Sequence, residues 1–170
     1  LLKYWDIAEK NNINCIWLVP TIMRSLIDME KRSKSFKNKD INLRYCFLGT
    51  SPSSEEEKNN FKKFFNVSPL ENFGLSETTF ISCAIEDKKN KAINSSVGSL
   101  MPNIEVKIKN DKGKIGELWV KTPYIMFGYY INDHEINLPL DEDGYYNTGD
   151  IGYIQNNELF LTGRSRDIIK

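Results

Sequence analysis

Two short stretches near the end of the chain put a single charge beside a glycine: Asp150 in Thr-Gly-Asp and Arg164 in Thr-Gly-Arg. A carboxylate offers two acceptor oxygens and no donor; a guanidinium offers a permanently charged fork of donors. Two further stretches gather small and hydroxylated residues after apolar runs: "GTSPSS" (49–54) and "NFGLSETT" (72–79). Gly49 and Gly74 let the backbone pass close to a flat ligand, and Phe73 offers an aromatic face beside it. Ser76, Thr78 and Thr79 supply hydroxyls, and Glu77 is a hard oxygen donor of the kind Mg²⁺ takes alongside phosphate. Taken singly, each has an ordinary structural reading: a turn with a helix N-cap, a helix start, a turn carboxylate, a surface cation. Lone His134, between Asp133 and Glu135, reads as solvated. The phosphate loops G-x-x-x-x-G-K-[ST] and G-x-G-x-x-G are absent, and no Ser-His-Asp or Cys-His set stands out.

The elements that must position these groups change character along the chain. Leu1, Trp5 and Ala8 sit at helical spacing, and "CIWLV" (15–19) follows as a short buried strand. Ile22, Met23, Leu26 and Ile27 repeat at helical period, and "LRYCFLG" (43–49) is a second strand. In "SPSSEEEKNNFKKFF", Ser54 with Glu57 forms a capping box, and Phe61, Phe64 and Phe65 form the buried stripe. "SPLENFG" (68–74) reads as a third strand, so the alternation predicts a parallel sheet layered with helices. Ligands of such sheets bind beyond the carboxyl ends of the strands, where both hydroxyl-rich stretches fall. From about Asn94 the pattern becomes period two, in "EVKIKN" (105–110), "GELWVKT" (116–122), "YYNTGDIGYI" and "NNELFLTG". That predicts a small antiparallel β-barrel or curled sheet. "EDKKNKAINSS" (86–96) is the natural joint.

Composition narrows the class. The 23 basic and 23 acidic residues cancel, so no global field draws the chain to nucleic acid or an anionic membrane. At 170 residues and 40% apolar there is enough chain for a real core. The longest apolar run, "CIWLVP", is too short to cross a bilayer, so no transmembrane segment is expected, and no signal-peptide pattern opens the chain. Cys15, Cys46 and Cys83 stand in apolar surroundings without metal-ligand spacing, which reads as buried thiols in a reducing, cytoplasmic compartment. The sequons at Asn66 and Asn94 are read as chance. Both ends read as cut, making this an internal piece of a longer protein.

The order "GTSP", "NFGLSE", "GELWVKTPYIMFGYY", "YYNTGD", "GRSRDIIK" closely resembles the adenylate-forming superfamily, over nearly the whole chain. That group holds acyl-CoA synthetases, luciferases and the adenylation domains of peptide synthetases. The resemblance implies that residues 1–93 are part of an α/β nucleotide- and acyl-binding subdomain, 94–162 a β-barrel subdomain, and 163–170 the hinge to a C-terminal domain. Gly49, Thr50 and Ser51 would border an adenine, and Asn72 would meet its polar edge. Phe73, where tyrosine is usual, would stack on it, with Gly74 allowing close approach. Ser76, where threonine is usual, would contact phosphate, and Glu77 would help hold Mg²⁺. Asp150 would accept from both ribose hydroxyls, and Arg164 would touch ribose or phosphate. The glycines at 149 and 163 would keep side chains out of the nucleotide's way. Arg166 falls where the family has its hinge residue, usually aspartate or lysine. "GELWVKTPYIMFGYY" is read as framework, with Gly128 and the tyrosines packing the barrel.

The implied reaction has two halves. A small carboxylic acid attacks the α-phosphorus of ATP, giving an acyl-adenylate and releasing pyrophosphate; a thiol then takes the acyl group and AMP leaves. "FGLSE" lacks the Gly-Pro-Thr-Glu form common in peptide-synthetase domains, and "NTGDIGYI" with "ELFLTGR" resembles fatty-acyl and aryl ligases. The acceptor is therefore read as coenzyme A, with fatty-acid metabolism as the setting. The alternatives are a fatty-acyl-AMP ligase or adenylation domain loading a carrier-protein phosphopantetheine, and a non-catalytic nucleotide-binding remnant. The acyl pocket would be partly formed by residues 74–75 and 79–81. The family's phosphate loop and catalytic lysine belong to the missing N- and C-terminal parts of the same chain, so these 170 residues alone are expected to be inactive.

Overall fold

The computed structural model describes residues 2–51, 53–84, 96–109 and 114–165. The chain divides into two compact units, Leu1–Glu71 and Asn72–Lys170.

The first unit alternates helix and strand as its periodicity predicts. Helix α1 (Tyr4–Lys10) buries Trp5 and Ala8. Strand β1 (Cys15–Leu18) leads through extended Val19 into α2 (Pro20–Ser33), where Pro20 occupies the first turn, the one place in a helix that does not need its missing N–H. Helix α2 buries Met23, Leu26 and Ile27 and ends at Lys34, whose φ of 50° is left-handed. The returning loop is tied by the buried Glu30 carboxylate, which accepts from Phe36 N at 2.7 Å and Lys37 N at 3.2 Å. Strand β2 (Tyr45–Leu48) then pairs parallel to β1.

Helix α3 (Glu55–Phe65) carries the expected capping box: Ser54 Oγ accepts from Glu57 N at 3.2 Å, and Glu57 Oε2 accepts from Ser54 N at 3.0 Å. Strand β3 (Pro69–Leu75) pairs parallel to β2 through Glu71. The core is aromatic. Trp5 meets Phe36 and Phe65 at ring-centroid distances of 4.7 and 5.1 Å, and Phe61 meets Phe65 at 4.4 Å. Each such side chain contributes about 1.5–3 kcal/mol through burial.

The strand expected to be buried throughout is not. In β1 only Ile16 and Leu18 face the core, while Trp17 is 58% exposed. Cys15 is exposed with it, which corrects its reading as a buried thiol; Cys46 is buried and Cys83 half-buried. Alternation along the strand sends these residues to the outer face.

The second unit is antiparallel. From Asn72 onward β3 pairs with β4 (Thr79–Cys83), which pairs with β5 (Ser96–Leu100). Strands β6 (Glu105–Lys109) and β7 (Gly116–Lys121) form one ladder, β8 (Tyr129–Asn132) and β9 (Glu135–Asn137) a separate hairpin, and β10 (Tyr146–Gln155) and β11 (Glu158–Arg164) another ladder. Pairings of β11 with β5 and of β10 with β7 give the order β3-β4-β5-β11-β10-β7-β6. Among the described residues no pairing joins β6 back to β3 or β4, so the paired strands form a curled-sheet order whose ends are not hydrogen-bonded to each other. Its core is Phe73, Ile81, Ile104, Leu118, Val120 and Leu159.

The unit boundary falls at Glu71/Asn72, earlier than the change of pattern near Asn94, because β4 joins β3 to the antiparallel ladder. Of the expected joint (86–96) only Ser96 is described; the turn at 111–113 and Arg166 also lie outside the described residues. Among the described residues no helix is long and apolar enough to cross a membrane.

Candidate functional site

Asp150 owes its position to an irregularity in β10. Asn147 pairs with Trp119 and Ile151 with Glu117, so four steps on β10 face two on β7, and two extra residues bulge out. Side chains from within the bulge satisfy its backbone. Asn147 Oδ1 accepts from Gly149 N at 2.8 Å, and Thr148 Oγ1 accepts from Asp150 N at 3.1 Å while donating to Leu118 O at 3.0 Å. Gly149 has φ of 73°, a left-handed conformation that glycine adopts without cost. A Cβ at Gly149 or Gly163 would meet nothing within 4 Å, so neither glycine is there to relieve crowding by described residues.

The bulge delivers the Asp150 carboxylate into the protein, 5% exposed, opposite Arg164 of β11. Arg164 Nε lies 3.1 Å from Asp150 Oδ1. The other oxygen, Oδ2, is buried with no hydrogen-bond partner among the described residues. Burial pushes the Asp150 carboxyl above its usual range, against the opposing pull of Arg164 and Thr148. A buried acceptor left open costs about 1–3 kcal/mol, so this arrangement suits a ligand that brings hydroxyl donors.

Glu77 lies in the turn between β3 and β4, a turn made tight at Gly74, where a Cβ would stand 2.1 Å from Thr79 O. Its backbone carbonyl accepts from Met126 N at 2.7 Å, and its Oε1 accepts from Tyr129 Oη at 2.7 Å. Tyr129 Oη is also 2.7 Å from Tyr146 Oη. Tyr146 and Asp150 are four residues apart on β10, at most about 13 Å along the strand. The strand therefore supplies a partner at each end of this stretch, Tyr146 for Tyr129 and Asp150 for Arg164.

The structure brings together Asp150 with Arg164, and Glu77 with Tyr129, a tyrosine read from the sequence as framework, which in turn meets Tyr146. Tyr129 and Tyr130 do not pack the sheet core; they are 40% and 69% exposed on the β8–β9 hairpin. Ser76 is exposed in the same turn as Glu77. Asn72, Phe73 and Gly74 lie within β3 rather than beyond its end. Asn72 is buried, and Phe73, 9% exposed, gives most of its ring to the core.

In the first unit, Gly49 is buried after β2, its N–H donating to Leu18 O at 3.2 Å, while Thr50 and Ser51 are exposed and Thr50 is left-handed with φ of 76°. The sequence reading missed what holds this loop. Glu71, buried on β3, accepts from Ser53 N at 3.3 Å and pairs with Lys58 Nζ at 3.5 Å. A carboxylate ending an apolar strand run, in "SPLEN", was the available signal.

A family model described as AMP-binding enzyme matches residues 2–130, ending short of Asp150 and Arg164. Acyl-CoA synthetase 7 of Caenorhabditis elegans is 32% identical over 171 residues, covering 95% of this chain and 30% of that protein. Probable 4-coumarate–CoA ligase 2 of Dictyostelium discoideum is 29% identical, covering 99% of this chain and 32% of its own length. The structure of a luciferase-like enzyme from the nonluminescent mealworm Zophobas morio matches with a TM-score of 0.79 at 27% identity, over 95% of this chain and 41% of that one. The chain spans about a third of the length of the curated relatives it matches.

Proposed function

The chain belongs to the AMP-binding enzyme family, and we propose that the full-length protein joins a carboxylic acid to ATP as an acyl-adenylate and passes the acyl group to coenzyme A. The observation that carries this reading is the buried Asp150 carboxylate, with Oδ1 on Arg164 and Oδ2 without a hydrogen-bond partner among the described residues. An acceptor-only group with a free oxygen fits the two hydroxyl donors of a ribose. Relatives named as acyl-CoA synthetase and CoA ligase favour coenzyme A over a carrier protein as the acceptor.

On this reading Asp150 orients the ribose, and Arg164, largely exposed beside it, swings between carboxylate and phosphate. Asn72 and Gly74 line the edge of the base, and Phe73 supports the nucleotide from the core rather than with a fully bared ring face. Ser76 donates to a phosphate oxygen. Glu77 fits Mg²⁺: no cluster of three ligating side chains exists among the described residues, and Mg²⁺ is commonly bound by one or two carboxylates with substrate phosphates completing its shell. When bound there it neutralises charge on the phosphates, and the protein's share is mainly positioning.

The test uses the full-length protein with a panel of carboxylic acids. Acid-dependent pyrophosphate release, with thioester formed only when coenzyme A is added, supports the reading. Release without thioester, but with acylation of a carrier protein, replaces coenzyme A by a carrier. ATP binding with no pyrophosphate release for any acid refutes the activity.

A further inference from the structure

Tyr129 and Tyr146 form a directed chain that ends on Glu77. Each phenol carries one proton. Glu77, as a carboxylate, can only accept, so the proton of Tyr129 lies toward Oε1 at 2.7 Å. The 2.7 Å contact between the two phenols must then be Tyr146 donating to Tyr129. Tyr146 is 8% exposed and fixed in β10, so the chain starts from a rigid element. Met126 N holds the Glu77 backbone carbonyl at 2.7 Å, which ties both ends of the residue to the 126–129 segment. Among the described residues Oε1 is the only oxygen of the Glu77 carboxylate with a hydrogen-bond donor, and Oε2 is left over. The terminal torsion of a glutamate is broad when both oxygens are free. Fixing one oxygen fixes the direction of the other.

We propose that Tyr129 is a positioning residue: by holding Oε1 it leaves Oε2 as the single Glu77 oxygen presented to a divalent cation. This rests on the assignment of Glu77 to the metal in the preceding subsection.

The test is made in the full-length protein with Tyr129→Phe, Tyr146→Phe, the double variant and Glu77→Gln. Free Mn²⁺ is followed by electron paramagnetic resonance in the presence of a non-hydrolysable ATP analogue, and AMP affinity is measured without metal. Groups that orient a metal ligand commonly set about 10–100-fold in metal affinity. Tyr129→Phe is therefore expected to weaken Mn²⁺ binding by about tenfold or more and to leave metal-free AMP affinity unchanged. Tyr146→Phe should weaken it less, and adding it to Tyr129→Phe should cost nothing further, because the chain is already cut. Wild-type Mn²⁺ affinity in Tyr129→Phe, with loss in Glu77→Gln, overturns the positioning role alone. Wild-type affinity in Glu77→Gln overturns the metal assignment and the inference with it. Should Tyr129→Phe fail to fold, Tyr146→Phe carries the test, and unchanged Mn²⁺ affinity there overturns the proposal.

Discussion

Replacing Asp150 by asparagine should make the ligand-free protein more stable and the nucleotide complex weaker. The carboxylate is 5% exposed, and one oxygen has no partner among the described residues. Leaving such a group unsatisfied costs about 1–3 kcal/mol, more when it is charged. Its one ion pair among the described residues is to Arg164, whose side chain is 61% exposed; pairs that open to solvent return about 0–1 kcal/mol. Asparagine keeps an unpaired polar atom in the same place but buries no charge, so the balance favours it by about 1 kcal/mol. In a domain of this size each kcal/mol moves the melting temperature by about 2–4 °C.

The pH dependence follows from the sign of the shift. Burial raises the folded carboxyl above its ordinary 3.8, so the folded state holds the proton more tightly than the unfolded one. Stability is then greatest below the ordinary value and is lost as pH rises through the folded value. The advantage of Asp150→Asn should appear at neutral pH and shrink below about pH 4. Thermal melts of both proteins from pH 3 to 8, with and without AMP, read this directly. A lower ligand-free melting temperature for Asp150→Asn at pH 7 would sink the argument, as would unchanged AMP affinity.

Three further outcomes follow from local geometry. Gly149→Ala should destabilise by about 1–2 kcal/mol in urea titrations although its methyl has room, because φ of 73° penalises an L side chain, and Gly149→Asn should cost less. Ser54→Ala should lower stability by about 1 kcal/mol by opening the capping box of α3, seen as a shift of the urea midpoint without change of slope. Asp141, bound to Lys109 and to the N–H groups of Tyr145 and Asp143, has its carboxyl held below the usual range. Its contribution is therefore present above the unfolded value and disappears as pH falls through the folded one. Asp141→Asn should flatten the acid limb of the stability profile, and an acid limb identical to wild type would exclude that role.

The first unit was legible because its signals are local. Ser54 and Glu57 are three residues apart, Pro20 opens its helix where proline must, and Met23, Leu26 and Ile27 mark a face by spacing alone. What escaped depends on distance. Tyr129 meets a carboxylate 52 residues away, and the run "YIMFGYYI" around it has neither helical nor strand alternation. β3 changes partner from β2 to β4 midway, at Asn72, with no turn residue to announce it. The exposed face of β1 was hidden for a similar reason, since "CIWL" is apolar on both faces. Within the site, Thr-Gly-Asp and Thr-Gly-Arg pointed to a carboxylate and a guanidinium, but only the pairing of β10 with β11 places them opposite each other.

The bulge in β10 adds an even number of residues, and that parity has a consequence. Tyr146 before it and Gly152 after it both face inward, so the strand leaves the ladder and rejoins it in phase. Deleting one residue between Asn147 and Ile151 would invert everything downstream, turning Gly152 outward, as any one-residue slip does in a sheet. Deleting two would restore an unbroken ladder with β7 and erase the carboxylate's presentation altogether. Length changes here are therefore tolerated by the scaffold only in pairs, and the in-phase change is the one that leaves an intact sheet with nothing to offer a ligand.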